Sequence, residues 1–163
     1  MGFASHLGPW LLGTVKNTTG TTAGTIRNMG ATVVTQTGLT TVADTTATTE
    51  FVLPAGAQII EFFVDITTAY AGTTGNTITI QTAAGNSLAT VGSASTTPLS
   101  VGRATVSVTG AQIGTYLNVG STDLVVQAIY ACAGTASGGA ATITCVYIVK
   151  GSDGVANPTT TQQ

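Results

Sequence analysis

The sequence predicts an all-β fold: an antiparallel β-sandwich of jelly-roll type, with eight or nine short strands and an extended N-terminal arm. Three observations carry this. Segments alternating apolar and polar residues recur along the chain, the strongest being the stretch after Pro54. Turn signals rich in Gly, Pro, Asn and Ser separate these segments about every 8 to 12 residues. No stretch of about ten residues repeats its apolar positions at the helical period of about 3.6.

In chain order, residues 1–30 read as an arm, 31–151 as the sandwich and 152–163 as a polar tail. In the arm, Leu7, Trp10, Leu11 and Leu12 surround a Gly8-Pro9 break, and Lys16 and Arg27 add rare positive charge. Gly13-Thr14-Val15-Lys16-Asn17 returns as Gly24-Thr25-Ile26-Arg27-Asn28, an offset too short for a solenoid repeat. The arm reads either as a hairpin turning at Gly20-Thr21 or as an extended segment draped over a neighbouring subunit.

Ala31 to Thr37 is the first expected strand, and Leu39 to Thr49 a Thr-rich strand followed by a loop. Leu53-Pro54-Ala55-Gly56-Ala57 is a turn, because Pro fixes φ and Gly allows positive φ. The central strand follows, with Ile60, Phe62, Val64 and Ile66 facing the core and Ile59, Glu61, Phe63 and Asp65 facing away. Tyr70 to Gly75 is a loop. Asn76 to Thr82 points Ile78 and Ile80 inward, and Ser87 to Val91 returns after an Ala84-Gly85-Asn86 turn. Ala104 to Thr109 is expected as one strand with Val106 and Val108 inside. Gly110 to Thr115 is a turn or a single helical turn, and Tyr116 to Val119 a short strand. Asp123 to Cys132 and Ala141 to Lys150 are the last strands, with Ile143 and Cys145 in the core.

Composition narrows the function. Only 6% of the 163 residues are charged, against about 25% in ordinary soluble proteins. Thr is roughly a fifth of the chain. With four Lys and Arg and a net charge of −2, neutralisation of nucleic-acid phosphates is excluded as the main role. An anionic membrane surface is an equally poor partner. So little charge leaves little repulsion between copies and suits a protein packed against neighbours. No run approaches the length of a transmembrane helix, and the N-terminus lacks the basic region of a secretory signal. Asn17-Thr18-Thr19 matches a glycosylation acceptor by chance in so Thr-rich a chain.

No catalytic, cofactor-binding or metal-binding constellation emerges. His6 is the one histidine, so no imidazole metal cage forms and no Ser has a nearby base in sequence. Glu61 and Asp65 lie four residues apart on one strand, about 13 Å between Cα atoms, wide for a catalytic carboxylate pair. Asp123 and Asp153 sit at loop boundaries without the dense Asp/Asn pattern of a calcium loop. Cys132 and Cys145 flank the final turn. A tight Gly138-Gly139 turn sets them opposite each other and a longer loop separates them; free thiols are favoured, because directly paired sheet residues seldom match disulfide geometry.

His6-Leu7-Gly8-Pro9-Trp10-Leu11-Leu12-Gly13-Thr14-Val15-Lys16-Asn17 and Gly24-Thr25-Ile26-Arg27-Asn28-Met29-Gly30 resemble the opening of small structural proteins of tailed bacteriophages. Phe51 to Ala57 before a strand, and Tyr147-Ile148-Val149-Lys150 before Ser152-Asp153-Gly154, resemble the same group. The resemblance implies a non-enzymatic virion component assembled in the host cytoplasm, a capsid decoration or cement protein. It also implies binding to the major capsid protein, often as a homotrimer. On this reading Leu7, Trp10, Leu11, Leu12, Lys16 and Arg27 contact the partner. The competing expectation is a fibre or adhesin module, which needs exposed aromatics; Tyr70 and Tyr116 are the residues that fit it.

Overall fold

The computed structural model describes residues 33–93, 95 and 98–149. The expected boundaries of arm and tail, and the possible hairpin around Gly20, lie outside them.

Nine strands and one helix follow in order: β1 (Val33–Thr41), β2 (Thr48–Leu53), β3 (Gln58–Thr68), β4 (Thr74–Thr82), β5 (Ser87–Gly92), β6 (Gly102–Ala104), β7 (Val106–Ser107), α1 (Gly110–Leu117), β8 (Leu124–Ala133) and β9 (Ala140–Ile148). The pairing is nested. β1 pairs with β9, β2 with β8, β3 with β6 and β4 with β5, all antiparallel. Rolling that ladder up sets β9 against β3 and β8 against β4. Two sheets result, in the orders β1-β9-β3-β6 and β2-β8-β4-β5-β7. This is a jelly-roll sandwich.

The core lies between the sheets. Phe62, Val64, Ile66, Ile78, Ile80, Ile143 and Cys145 are buried, as alternation predicts. The Pro54 turn forms as expected: the Ala57 N–H donates to the Pro54 carbonyl at 3.0 Å, and Gly56 takes φ 71°.

Four expectations need correction. Ile60 is 47% exposed and Ile59 is buried instead. The cause is a β-bulge: Ile59 pairs with Tyr147 and Glu61 with Val146, so Ile60 is an extra residue and the alternation shifts before it resumes at Phe62. Ile60→Thr should therefore change stability by less than about 0.5 kcal/mol; a loss above about 1 kcal/mol in chemical denaturation would mean that Ile60 is inside.

Ala104 to Thr109 is not one strand. β6 pairs with β3 in one sheet and β7 with β5 in the other, so the chain turns a corner at Thr105. Val106 is half-buried and Val108 is exposed, because alternation does not survive the change of sheet. Tyr116 and Leu117 form the last turn of α1 rather than a strand. The Thr109 N–H donates to Gln112 Oε1 at 2.6 Å and holds the helix start. Tyr116 packs edge-on against Phe62, ring centroids 5.8 Å apart, and its hydroxyl donates to the Leu88 carbonyl.

β8 and β9 do not form a hairpin. They belong to different sheets, so neither register considered for Cys132 and Cys145 occurs. Both thiols are free. Burial pushes the Cys145 thiol up to about 12, which keeps it protonated and unreactive. Gly139, at φ 146°, makes the crossover against the Tyr70 ring, where a Cβ has no room.

Candidate interaction surface

The outer face of the four-stranded sheet is built from alternate residues of β1, β9, β3 and β6. Register sets Thr35 beside Val146 and Glu61, Thr37 beside Thr144 and Phe63, and Leu39 beside Thr142 and Asp65. β6 adds Arg103 next to Asp65. The two form a forked ion pair, Nε to Oδ1 and Nη2 to Oδ2, both at 2.9 Å. The Arg103 bonds hold the Asp65 carboxyl below its ordinary range. The guanidinium lies 4.6 Å from the Phe63 ring centroid. Arg103 is the one cation among the described residues, and its charge is neutralised locally. What remains of this face is mostly hydroxyl and methyl groups.

Exposed apolar side chains are spread over the described surface. Val33 and Leu39 lie on β1, Val52 on β2, and Val101, Val108, Ile113 and Leu117 in the segment around β6, β7 and α1. A cleft between the β4–β5 turn and the start of β8 includes Thr82, Asn86, Thr115 and Asp123. The Asp123 carboxylate accepts the Ala55 N–H at 2.9 Å, an orienting bond for the Pro54 turn. No group of three or more His, Cys, Asp or Glu that could hold a metal occurs among the described residues.

The polar interior is structural. Asn76 is fully buried where a bulge interrupts the β4–β8 ladder. Its Oδ1 accepts the Gly72 N–H at 3.1 Å and the Tyr130 hydroxyl at 2.5 Å, and its Nδ2 donates to the Gly72 carbonyl at 3.1 Å. Tyr70 stacks at a tilt on Tyr130, centroids 4.6 Å apart, and donates to the Thr40 carbonyl. Tyr70 and Tyr116 are therefore both buried, which corrects the expectation that they form an exposed aromatic surface.

The residues expected from sequence to contact a partner, Leu7, Trp10, Leu11, Leu12, Lys16 and Arg27, lie outside the described residues. Sequence reasoning missed the Arg103–Asp65 pair, since register across β3 and β6 had to be known to bring them together. It also missed Glu50, the extra residue of a bulge in β2.

No protein-family model and no curated protein matches the chain. Solved structures do. A chain of the structure titled "Cyanophage Pam1 capsid asymmetric unit" superposes with a TM-score of 0.50 at 16% identity, covering 84% of this chain and 99% of that one. The fold is similar to that of a phage capsid chain. A chain of "Acidic stable capsid structure of Helicobacter pylori bacteriophage KHP30" matches with a TM-score of 0.48 at 10% identity, over 72% of this chain and 87% of that one. At 16% identity, what the first of these likenesses shows is the fold alone.

Proposed function

We propose that this chain is a non-enzymatic structural protein of a phage virion, a capsid decoration or cement protein that binds the major capsid protein and reinforces the shell. The observation that supports this most is the likeness of its jelly roll to a chain of a phage capsid asymmetric unit, matched over 99% of that chain. The charge-poor surface agrees, because it can be covered without desolvating many ions. Burial of Tyr70 and Tyr116 removes the aromatic surface on which a fibre or adhesin reading rested.

In this proposal residues 1–30 are the anchoring arm, and Trp10 with Leu7, Leu11 and Leu12 buries against the shell or a neighbouring copy. Val33 pairs with Ile148, so the first and last described strands begin and end at one corner of the sandwich. A homotrimer at a three-fold position is the expected assembly.

Deleting residues 1–12 tests the arm. The truncated chain is expected to keep its thermal unfolding midpoint but fail to bind capsids stripped of it, measured by co-sedimentation. Normal occupancy after the deletion, or loss of folding, removes the arm as anchor. Counting copies per virion tests the role itself: hundreds support decoration, whereas a dozen or fewer point to a fibre or tail position.

A further inference from the structure

β1 and β2 are neighbouring edge strands of different sheets. Three polar groups join them. Gln36 Nε2 donates to the Val52 carbonyl at 3.1 Å. Asp44, in the connecting loop, accepts the Thr41 N–H at 2.6 Å through Oδ2 and the Thr48 hydroxyl at 3.2 Å through Oδ1. Glu50 is the extra residue of the β2 bulge, since Thr49 pairs with Gln127 and Phe51 with Val126. Its side chain occupies the space over Gly38 that a Cβ would fill, and it interacts with the Leu39 backbone N–H. Its other oxygen, Oε1, is buried without a hydrogen-bond partner.

We propose that Glu50 is a proton-operated latch on this edge: protonated, it stays over Gly38 and holds β1 and β2 together; on giving its proton to water, it leaves and frees the β1 backbone. The reason is solvation. A neutral carboxyl tolerates a half-buried site with one oxygen unpartnered, whereas a carboxylate there has the Leu39 N–H alone to set against its lost water, and burial with the Asp44 charge outweighs that bond.

The groups facing Glu50 give it no counter-charge. β1 carries no titratable side chain. The connecting loop supplies Asp44, which repels an anion, and Tyr70 feels both carboxylates. β8 supplies Tyr130, whose N–H holds the Asp44 carbonyl, and β9 supplies Tyr147, bonded to Gln36. Arg103 sits on the far edge strand of the sheet, bonded to Asp65.

Burial first, and Asp44 second, push the Glu50 carboxyl from its ordinary 4.5 to about 7. The raised value sets the sign. The closed state is favoured fully below 4.5 and loses that advantage as pH rises through about 7. Burial raises Tyr70 and Tyr130, the latter to about 12, so neither titrates in this window.

Hydrogen exchange followed by NMR on the full chain tests the latch. After normalising for intrinsic exchange, protection of the Leu39 amide should fall ten-fold or more between about pH 5 and about pH 8, with a midpoint near 7. Val64 and Ile143 should keep theirs. Glu50→Gln should flatten the dependence. Wild-type protection that ignores pH, or an unchanged midpoint in Glu50→Gln, overturns the proposal. Should that variant not fold, the carbon-13 shift of the wild-type Glu50 carboxyl decides: a midpoint near 7 supports the latch and one near 4.5 removes it.

Discussion

Phe62→Ala is expected to destabilise the sandwich by about 3–5 kcal/mol, read as a fall in the denaturant midpoint at unchanged slope. Phe62 is 2% exposed and sits on β3, an interior strand of the four-stranded sheet. Its ring is the surface on which Tyr116 of α1 rests, so removing it empties a space that two elements share. The helix is only eight residues long and has no stability of its own. It cannot follow the missing ring inward without breaking the Tyr116 hydroxyl bond to Leu88. A loss below about 1 kcal/mol would show that α1 does not close the core.

Asn76→Ala is expected to cost a comparable amount, about 3–5 kcal/mol, for a different reason. The cavity is small, but the Gly72 N–H, the Gly72 carbonyl and the Tyr130 hydroxyl all lose a buried partner. Tyr130→Phe removes just the last of these and should cost about 1–2 kcal/mol. Equal effects of the two substitutions in thermal or chemical unfolding would mean that Asn76 does not organise the loop before β4.

The strands were legible wherever one residue pairs with one residue. Ile78 and Ile80, or Ile143 and Cys145, alternate without interruption and lie inside. The register of β3 was not, because a bulge adds a residue without leaving a mark in composition, and Ile60 among Ile59 and Phe62 gives no apolar contrast. The helix does carry a sequence signal, since Thr109 and Gln112 have the spacing of a capping box. Tyr70 lies in a connecting segment yet is buried, since its partners Thr40, Tyr130 and Gly139 come from three distant parts of the chain. Strand adjacency failed most plainly at β8 and β9. Consecutive strands usually pair, but a rolled ladder sends these two to opposite sheets. The proposed contact surface rests on residues 1–30, whereas the latch rests on Glu50 and Gly38, brought together by the sandwich alone.

The nested pairing also dictates an order of events during synthesis. Gln36 on β1 bonds Tyr147 on β9, 111 residues later. β4 and β5, joined by a short turn, can meet as soon as they leave the ribosome, but β1 must wait until nearly the whole sandwich has been made. Until then a nine-residue segment with no charge and no proline is open to other chains. Contacts so distant in sequence make folding slow. The chain thus faces its greatest risk of misassociation while nascent, and the outermost rung of the ladder is the last to be set.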